Sequence, residues 1–198
     1  MAVSIDDIKK LKELTGVGLT DAKTALVEAD GDFDKALEAM RKKGLTKAEK
    51  KADREALEGV IDSYVHGGRI GVLVEVNCET DFVARTDNFK EFAHMIALQV
   101  ASMSPIYVSE ADIPAEELER VRQEALASDA LKGKPADIAD KIVEGQVKKH
   151  FADKVLLNQS YIMDDSKTVA DFLKETIAKT GENVVVRRFK RIELGVND

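Results

Sequence analysis

Residues 59–77 constrain the fold more than any other stretch of the chain. Ile61-Asp-Ser-Tyr-Val-His66 and Arg69-Ile-Gly-Val-Leu-Val-Glu-Val76 flank Gly67-Gly68. In the second run Ile70, Val72, Val74 and Val76 fall on alternate positions, the period of a strand with one buried face. Two glycines between such runs supply the positive φ that a two-residue hairpin turn demands. A β-hairpin over Gly59–Asn77 is therefore expected. Its second strand runs into Glu75-Val-Asn-Cys-Glu-Thr-Asp-Phe-Val-Ala-Arg85. Strand exits favour small or polar turn residues, yet here Asp81 and Phe82 stand side by side. Full burial of a Phe is worth about 1.5–3 kcal/mol. Either Phe82 packs at home or it is kept for a partner, and both readings stay open at this level.

Upstream, residues 4–43 read as three short helices. Ser4 can cap the first, with Asp7 as a capping-box acid. Ile5, Ile8, Leu11 and Leu14 form its apolar stripe, and Thr15-Gly16-Val17-Gly18 breaks it. Leu19, Ala22, Ala25, Leu26 and Ala29 make a second stripe; Phe33, Ala36, Leu37 and Met40 make a third, closed by Gly44. Thr46-Lys-Ala-Glu49 resembles another capping box, and the charged stretch to Glu58 reads as a solvated helical linker. After Arg85, Thr86 or Asp87 caps a helix with stripe Phe89, Phe92, Ala93, Ile96 and Val100, ended by Pro105. Helices near Pro114 and after Gly133-Lys-Pro135 form an antiparallel, highly charged hairpin that projects from the body. A strand-like Val155–Met163, a helix capped by Thr168 and stopped by Gly181, and a strand over Asn183–Leu194 complete the chain. The expected class is α+β with a mostly antiparallel sheet. The expected division is a three-helix module at 1–44, a helical linker at 45–58, an α+β core at 59–112 and 151–198, and the helical hairpin at 113–150.

Composition narrows the function. The 198 residues carry a formal charge of −7 and no Trp, a poor match to a general phosphate-backbone binder, which needs a basic face. No direct nucleic-acid partner is expected. Cys78 is the only cysteine, so neither an intrachain disulfide nor a cysteine metal cluster can form. The N-terminal residues lack the charge and apolar run of a signal peptide. No apolar stretch reaches the ~18–20 residues of a membrane helix. A cytoplasmic setting without membrane attachment is expected.

No catalytic constellation emerges. His66, His94 and His150 lie in separate elements, without an HExxH pattern. Gly16-Val-Gly18 follows a helix rather than a strand and lacks a third glycine, so it reads as a turn between helices rather than a phosphate loop. Glu79 and Asp81 could flank a metal, but two loop carboxylates without further ligands are more often solvated. Arg187-Arg-Phe-Lys-Arg191 is a basic run in the last strand. Alternation puts Arg187, Phe189 and Arg191 on one face and Arg188 and Lys190 on the other, and a solvated or acid-pairing strand is favoured over a binding patch. Neither an enzyme activity, a metal site nor a cofactor is expected.

Two separated stretches resemble the bacterial elongation factor Ts family. Leu11-Lys-Glu-Leu-Thr-Gly-Val-Gly-Leu-Thr-Asp-Ala-Lys-Thr-Ala-Leu26 is similar to the family's N-terminal signature, with Lys12 in place of the usual Arg and Thr20 and Thr24 in place of commoner Met and Lys. Glu75–Arg85 matches the core signature throughout. The resemblance covers nearly the whole chain, although the longest members carry two related sheet subdomains and this chain holds one.

The resemblance implies a guanine-nucleotide exchange factor for elongation factor Tu in its GDP-bound form. It implies a ubiquitin-associated-like N-terminal module that docks through Leu11, Lys12, Thr15, Gly16, Val17, Gly18 and Lys23. It also implies a wedge made of Thr80, Asp81, Phe82 and Val83, with Asp81 and Phe82 entering near the magnesium and phosphate side of the GTPase site. A homodimer that supplies the contacts of the second subdomain is a further expectation. The rivals are a binding adaptor that uses the three-helix module, and a metal-assisted hydrolase around Glu79 and Asp81.

Overall fold

The computed structural model describes residues 3–15, 17–40, 51–128 and 135–196. The N-terminal elements are α1 (Ile5–Thr15), α2 (Leu19–Glu28) and α3 (33–40). Leu11, Ala22, Ala25, Leu26, Ala36 and Met40 close a core of their own. Ser4 Oγ accepts the Asp6 amide proton at 3.2 Å, so the cap is Ser4 without the reciprocal Asp7 contact. Ile5 and Leu14, expected on the buried stripe, are exposed, because a small three-helix core encloses only the centre of each stripe. The expected features at Gly44 and at Thr46–Glu49 lie outside the described residues.

The body is built on a three-stranded antiparallel sheet in the order β1–β2–β5, comprising β1 (Glu58–His66), β2 (Ile70–Cys78) and β5 (Val184–Glu193). The hairpin turn is longer than expected: Gly67, Gly68 and Arg69 lie between the paired His66 and Ile70. Gly67 (φ 55°) and Gly68 (φ 69°) do take the left-handed conformations, and the Arg69 amide donates to His66 C=O at 2.9 Å. Gly59 is required for a different reason. A Cβ there would sit 2.1 Å from the Val76 carbonyl oxygen.

One face of the sheet is covered. Val72, Val74, Val76, Val184 and Val186 meet Phe89, Phe92, Ala93, Ile96 and Val100 of α5 (Asp87–Met103) and Ile177 of α8 (Val169–Thr180). Thr86 caps α5, its Oγ1 accepting the Phe89 amide proton. Thr168 and Asp171 form the capping box of α8, and Gly181 ends it at φ 77°. The opposite face of the sheet is open, with Ile61, Val65, Leu73 and Ile192 exposed.

The helical hairpin consists of α6 (Ala115–Leu126) and α7 (Ala136–Phe151), packed on each other, with Pro114 just before α6. Its root is stitched to itself. The Ile106 and Tyr107 amides donate to Lys154 C=O at 2.8 and 3.0 Å, Leu156 N donates to Tyr107 C=O at 2.8 Å, and Leu157 N donates to Val108 C=O at 3.1 Å. Just beyond the root, Gln99 on α5 and Gln159 share a buried amide network. Gln99 Nε2 donates to Gln159 Oε1 (3.1 Å) and Ser160 C=O (3.0 Å), while Gln99 Oε1 accepts the Ile162 amide proton (2.9 Å).

Two readings of the chain need correction. Residues 51–57 are turn and irregular structure rather than helix, because the Asn183 side chain takes the free carbonyls of Ala52 (3.4 Å) and Arg54 (2.7 Å). Residues 155–163 are not one strand. A 3₁₀ turn at Leu156–Asn158 precedes the two residues of β3 (Ser160–Tyr161), which pair with β4 (Asp164–Thr168). The root contacts and the buried Gln159 fix the backbone there in place of a long ladder.

Candidate functional site

The exit of β2 folds into one helical turn, α4 (Asp81–Ala84), that sequence periodicity did not reveal. Four residues cannot show a helical repeat, so the local signal is the cap. Thr80 is extended (φ −130°, ψ 153°), and its Oγ1 accepts the Val83 amide proton at 3.4 Å. The turn divides its side chains sharply. Val83 and Ala84 pack against the core beneath the sheet, whereas Phe82 is 79 % exposed. Reading Phe82 as a home-packed core residue is thereby overturned. Asp81 pairs with Arg85 at 2.8 Å on the same exposed turn, the i, i+4 spacing that brings helix side chains together.

Of the four residues expected to form a wedge, Phe82 alone is exposed; Asp81 is half-buried with its carboxylate turned to Arg85, and Thr80 and Val83 are half-buried as well. Thr80 is spent on capping and Val83 on anchoring.

A second element fixes this turn. The Glu182 carboxylate, just after α8, accepts the Glu79 amide (3.1 Å), the Thr80 amide (3.0 Å) and the Thr80 hydroxyl (2.6 Å). Glu79 returns the contact: its carboxylate accepts the Asn183 amide proton at 2.6 Å and lies 3.5 Å from the Arg54 guanidinium. Sequence reading missed Glu182, Asn183 and Arg54, because more than a hundred residues separate the first two from Glu79 and no local motif marks the pairing. Glu79 and Asp81 thus turn to different partners rather than to a shared centre. Among the described residues, no group of three or more His, Cys, Asp or Glu is placed to hold a metal.

Cys78 is buried at the base of the turn, its thiol donating to Thr80 C=O at 3.1 Å. Burial, with the nearby Glu182 charge adding to it, pushes the thiol up to about 11. That is the opposite of an activated nucleophile.

The histidines gather more than their spacing suggested. His94 Nδ1 lies 2.8 Å from Asp62 Oδ2, His66 Nδ1 lies 3.0 Å from Tyr64 Oη, and both imidazoles sit 6.0 Å from the Tyr64 ring centre. His150 is apart, on α7, 2.8 Å from Lys154 Nζ.

The basic run of β5 also differs from strict alternation. Glu75 pairs with Arg188 and Val76 with Val186, so Arg187 is the extra residue of a bulge. Both arginines consequently approach Glu75, Arg188 at 2.6 Å and Arg187 at 3.8 Å, and Arg187 does not share the face of Phe189. The acid-pairing reading of this strand holds.

In the N-terminal module, Leu11 is wholly buried in the local core. In the free chain its side chain belongs to the module's interior rather than to its surface. Lys12, Gly18 and Lys23 are exposed, Thr15 and Val17 half-buried, and Gly16 lies outside the described residues. Sequence reading assigned Leu14 and Leu19 to buried stripes, yet both are exposed, one near the end of α1 and the other at the start of α2.

Fold and site together define an α+β protein that holds an aromatic ring outside its own core on a capped turn. Among the described residues no helix is long and apolar enough to cross a membrane. The family model for elongation factor Ts matches residues 7–195. Elongation factor Ts of Thermotoga petrophila is 55 % identical over 196 residues, covering 98 % of each chain. Elongation factor Ts of Thermoanaerobacter sp. strain X514 is 53 % identical over 98 % of this chain and 95 % of its own. That of Coprothermobacter proteolyticus is 52 % identical over 98 % and 100 %. The chain belongs to the elongation factor Ts family of translation elongation factors.

Proposed function

We propose that this chain is a cytoplasmic guanine-nucleotide exchange factor for elongation factor Tu, and that Asp81 and Phe82 wedge near the magnesium and phosphate side of the GTPase site to promote GDP release. Family membership supports the partner. The observation that carries the wedge is the 79 % exposure of Phe82 on a turn whose neighbours are buried or hydrogen-bonded. A large apolar ring kept in water is unfavourable in the free protein. Burying it on a partner returns about 1.5–3 kcal/mol, which offsets distortion of the partner's site. Bound nucleotide depends on oriented phosphate-loop amides and Mg²⁺, so a wedge that displaces the elements carrying them need not touch the nucleotide. The coupling is reciprocal: whatever factor the chain takes from nucleotide affinity, nucleotide takes from the chain's affinity.

The N-terminal module serves as a second attachment, through Lys12, Thr15, Val17, Gly18 and Lys23, with Leu14 and Leu19 adding apolar surface. Tethering raises the effective concentration of the wedge. The open sheet face bearing Ile61, Val65, Leu73 and Ile192 supports pairing with a second copy of the chain, which sedimentation at varied concentration reads directly.

The deciding measurement is GDP release from elongation factor Tu with and without the chain, repeated with Phe82→Ala. Acceleration by the native chain, and its loss in the variant at an unchanged melting temperature, is the expected pair of results. An unaccelerated GDP release by the native chain removes the proposal.

A further inference from the structure

We propose that Glu182 is the positioning residue of the exposed turn: through Thr80 it fixes where Phe82 stands, and it thereby sets the maximal exchange rate rather than the affinity for the GTPase. The inference rests on the wedge reading above. It starts from a mechanical difficulty. α4 has four residues, and a single helical turn fixes several dihedrals for one hydrogen bond, so it does not persist unaided. Its most apolar side chain, Phe82, points into water and contributes no packing. Val83 and Ala84 anchor the far side of the turn. The near side has only Thr80 and whatever holds Thr80.

Glu182 holds Thr80 at two points and the neighbouring Glu79 amide at a third. One carboxylate oxygen takes both the Glu79 and Thr80 amides, and the other takes the Thr80 hydroxyl proton. The last bond has a directional consequence. A threonine hydroxyl has one hydrogen and two lone pairs. Once its hydrogen is committed to Glu182, a lone pair is left aimed at Val83 N–H, which is the cap of α4. Glu182 is itself rigidly placed. It follows the left-handed Gly181 that ends α8, its own amide donates to Thr180 Oγ1 at 3.4 Å, and the next residue's amide is held by Glu79. The end of α8 and the exit of β2 are thus clamped reciprocally, and the ring is delivered pre-ordered rather than ordered on docking. Pre-ordering lowers the cost of inserting the ring once the chain is already attached through its other surfaces, so its loss is read in the rate of release and not in the attachment.

The test uses the full-length chain with Glu182→Ala and Glu182→Gln. Heteronuclear ¹⁵N relaxation of the Asp81–Arg85 amides reports the order of the turn whether or not the chain acts on a GTPase. In Glu182→Ala these amides become mobile while those of β1 and β2 keep their native values. Stimulated GDP release at saturating chain falls about tenfold, and the half-saturating concentration stays within about twofold, since a lost pre-ordering of this size is within what ordering a few groups costs. Glu182→Gln keeps an oxygen for the two amides but turns an NH2 donor on the Thr80 hydroxyl, so both of its readouts fall between those of the native chain and Glu182→Ala. If Glu182→Ala does not fold, Glu182→Asp, whose carboxylate is one methylene short of its three donors, weakens the clamp with the Thr80 cap left in place and gives the same local mobility in lesser degree.

A turn that stays ordered in Glu182→Ala, or in Glu182→Asp where Glu182→Ala does not fold, overturns the proposal. So does a mobile turn with undiminished maximal release, or a Glu182→Gln chain as impaired as Glu182→Ala. A native chain that leaves GDP release unaccelerated instead removes the exchange reading and leaves the relaxation result to decide the role of Glu182 in the turn.

Discussion

Phe82 and Phe89 lie one short turn and one cap apart, and the first is 79 % exposed while the second is fully enclosed. Thr80 and Thr86, the two successive caps, produce the contrast by resetting the helix direction between them. The same side chain is thus committed to water at one position and to the sheet at the next.

The pair gives opposite stability outcomes. Phe89→Ala is expected to cost about 3–5 kcal/mol, the usual range for truncating an enclosed Phe. Phe82→Ala is expected to shift stability by no more than about 0.5 kcal/mol, as for surface substitutions generally. Urea unfolding of both variants measures this, and comparable losses would show that Phe82 is held by the fold after all.

Gly59→Ala is expected to destabilise the body by about 1–3 kcal/mol, the cost of forcing atoms into a packed site. The added Cβ would meet Val76 C=O at 2.1 Å, within the β1–β2 pairing itself. Gly71→Ala, whose Cβ meets nothing within 4 Å, serves as the control. Equal denaturation midpoints for the two variants would contradict the close approach.

Cys78 makes stability fall at alkaline pH. Its thiol titrates near 11 in the folded chain and at about 8.5 when unfolded. The unfolded chain therefore releases this proton first, and stability from this group is complete below about pH 8.5 and is lost as pH rises toward 11. Cys78→Ala should lack that part of the slope. A thiol reagent at pH 8 should label native protein only as fast as it unfolds, and rapid labelling of the folded chain would contradict the burial.

Removal of residues 1–44 should leave the body's melting transition in place while weakening attachment to elongation factor Tu. The module's buried cluster and the sheet's buried cluster share no residue. Calorimetry reads the first outcome and a titration of the partner reads the second. A truncated chain that attaches with full affinity would remove the docking role of the module.

Much of this fold was legible because its signals are local. The Gly67-Gly68 turn, the stripe from Phe89 to Val100 and the Thr168 cap each lie within a dozen residues, and each appears where periodicity and capping chemistry place it. The three-residue turn at Gly67–Arg69 and the bulge at Arg187 were not legible, since register depends on the partner strand. Exposure of Phe82 was a question the sequence could pose but not answer: the residue type is the same whether the ring turns in or out. Glu182 lay further out of reach, because its role exists only once α8 brings it beside β2.

The stitched root at Tyr107 and Val155 has a consequence for how this chain can change length. The two strands of backbone that enter and leave residues 113–150 are already hydrogen-bonded to each other, and Gln159 ties the outgoing one to α5. Loop length between joined ends carries only a slowly growing closure entropy. A change in the length of the helical arm that keeps Val121, Val147 and Phe151 packed on Val155 at the root is therefore expected to leave the register of the sheet below undisturbed.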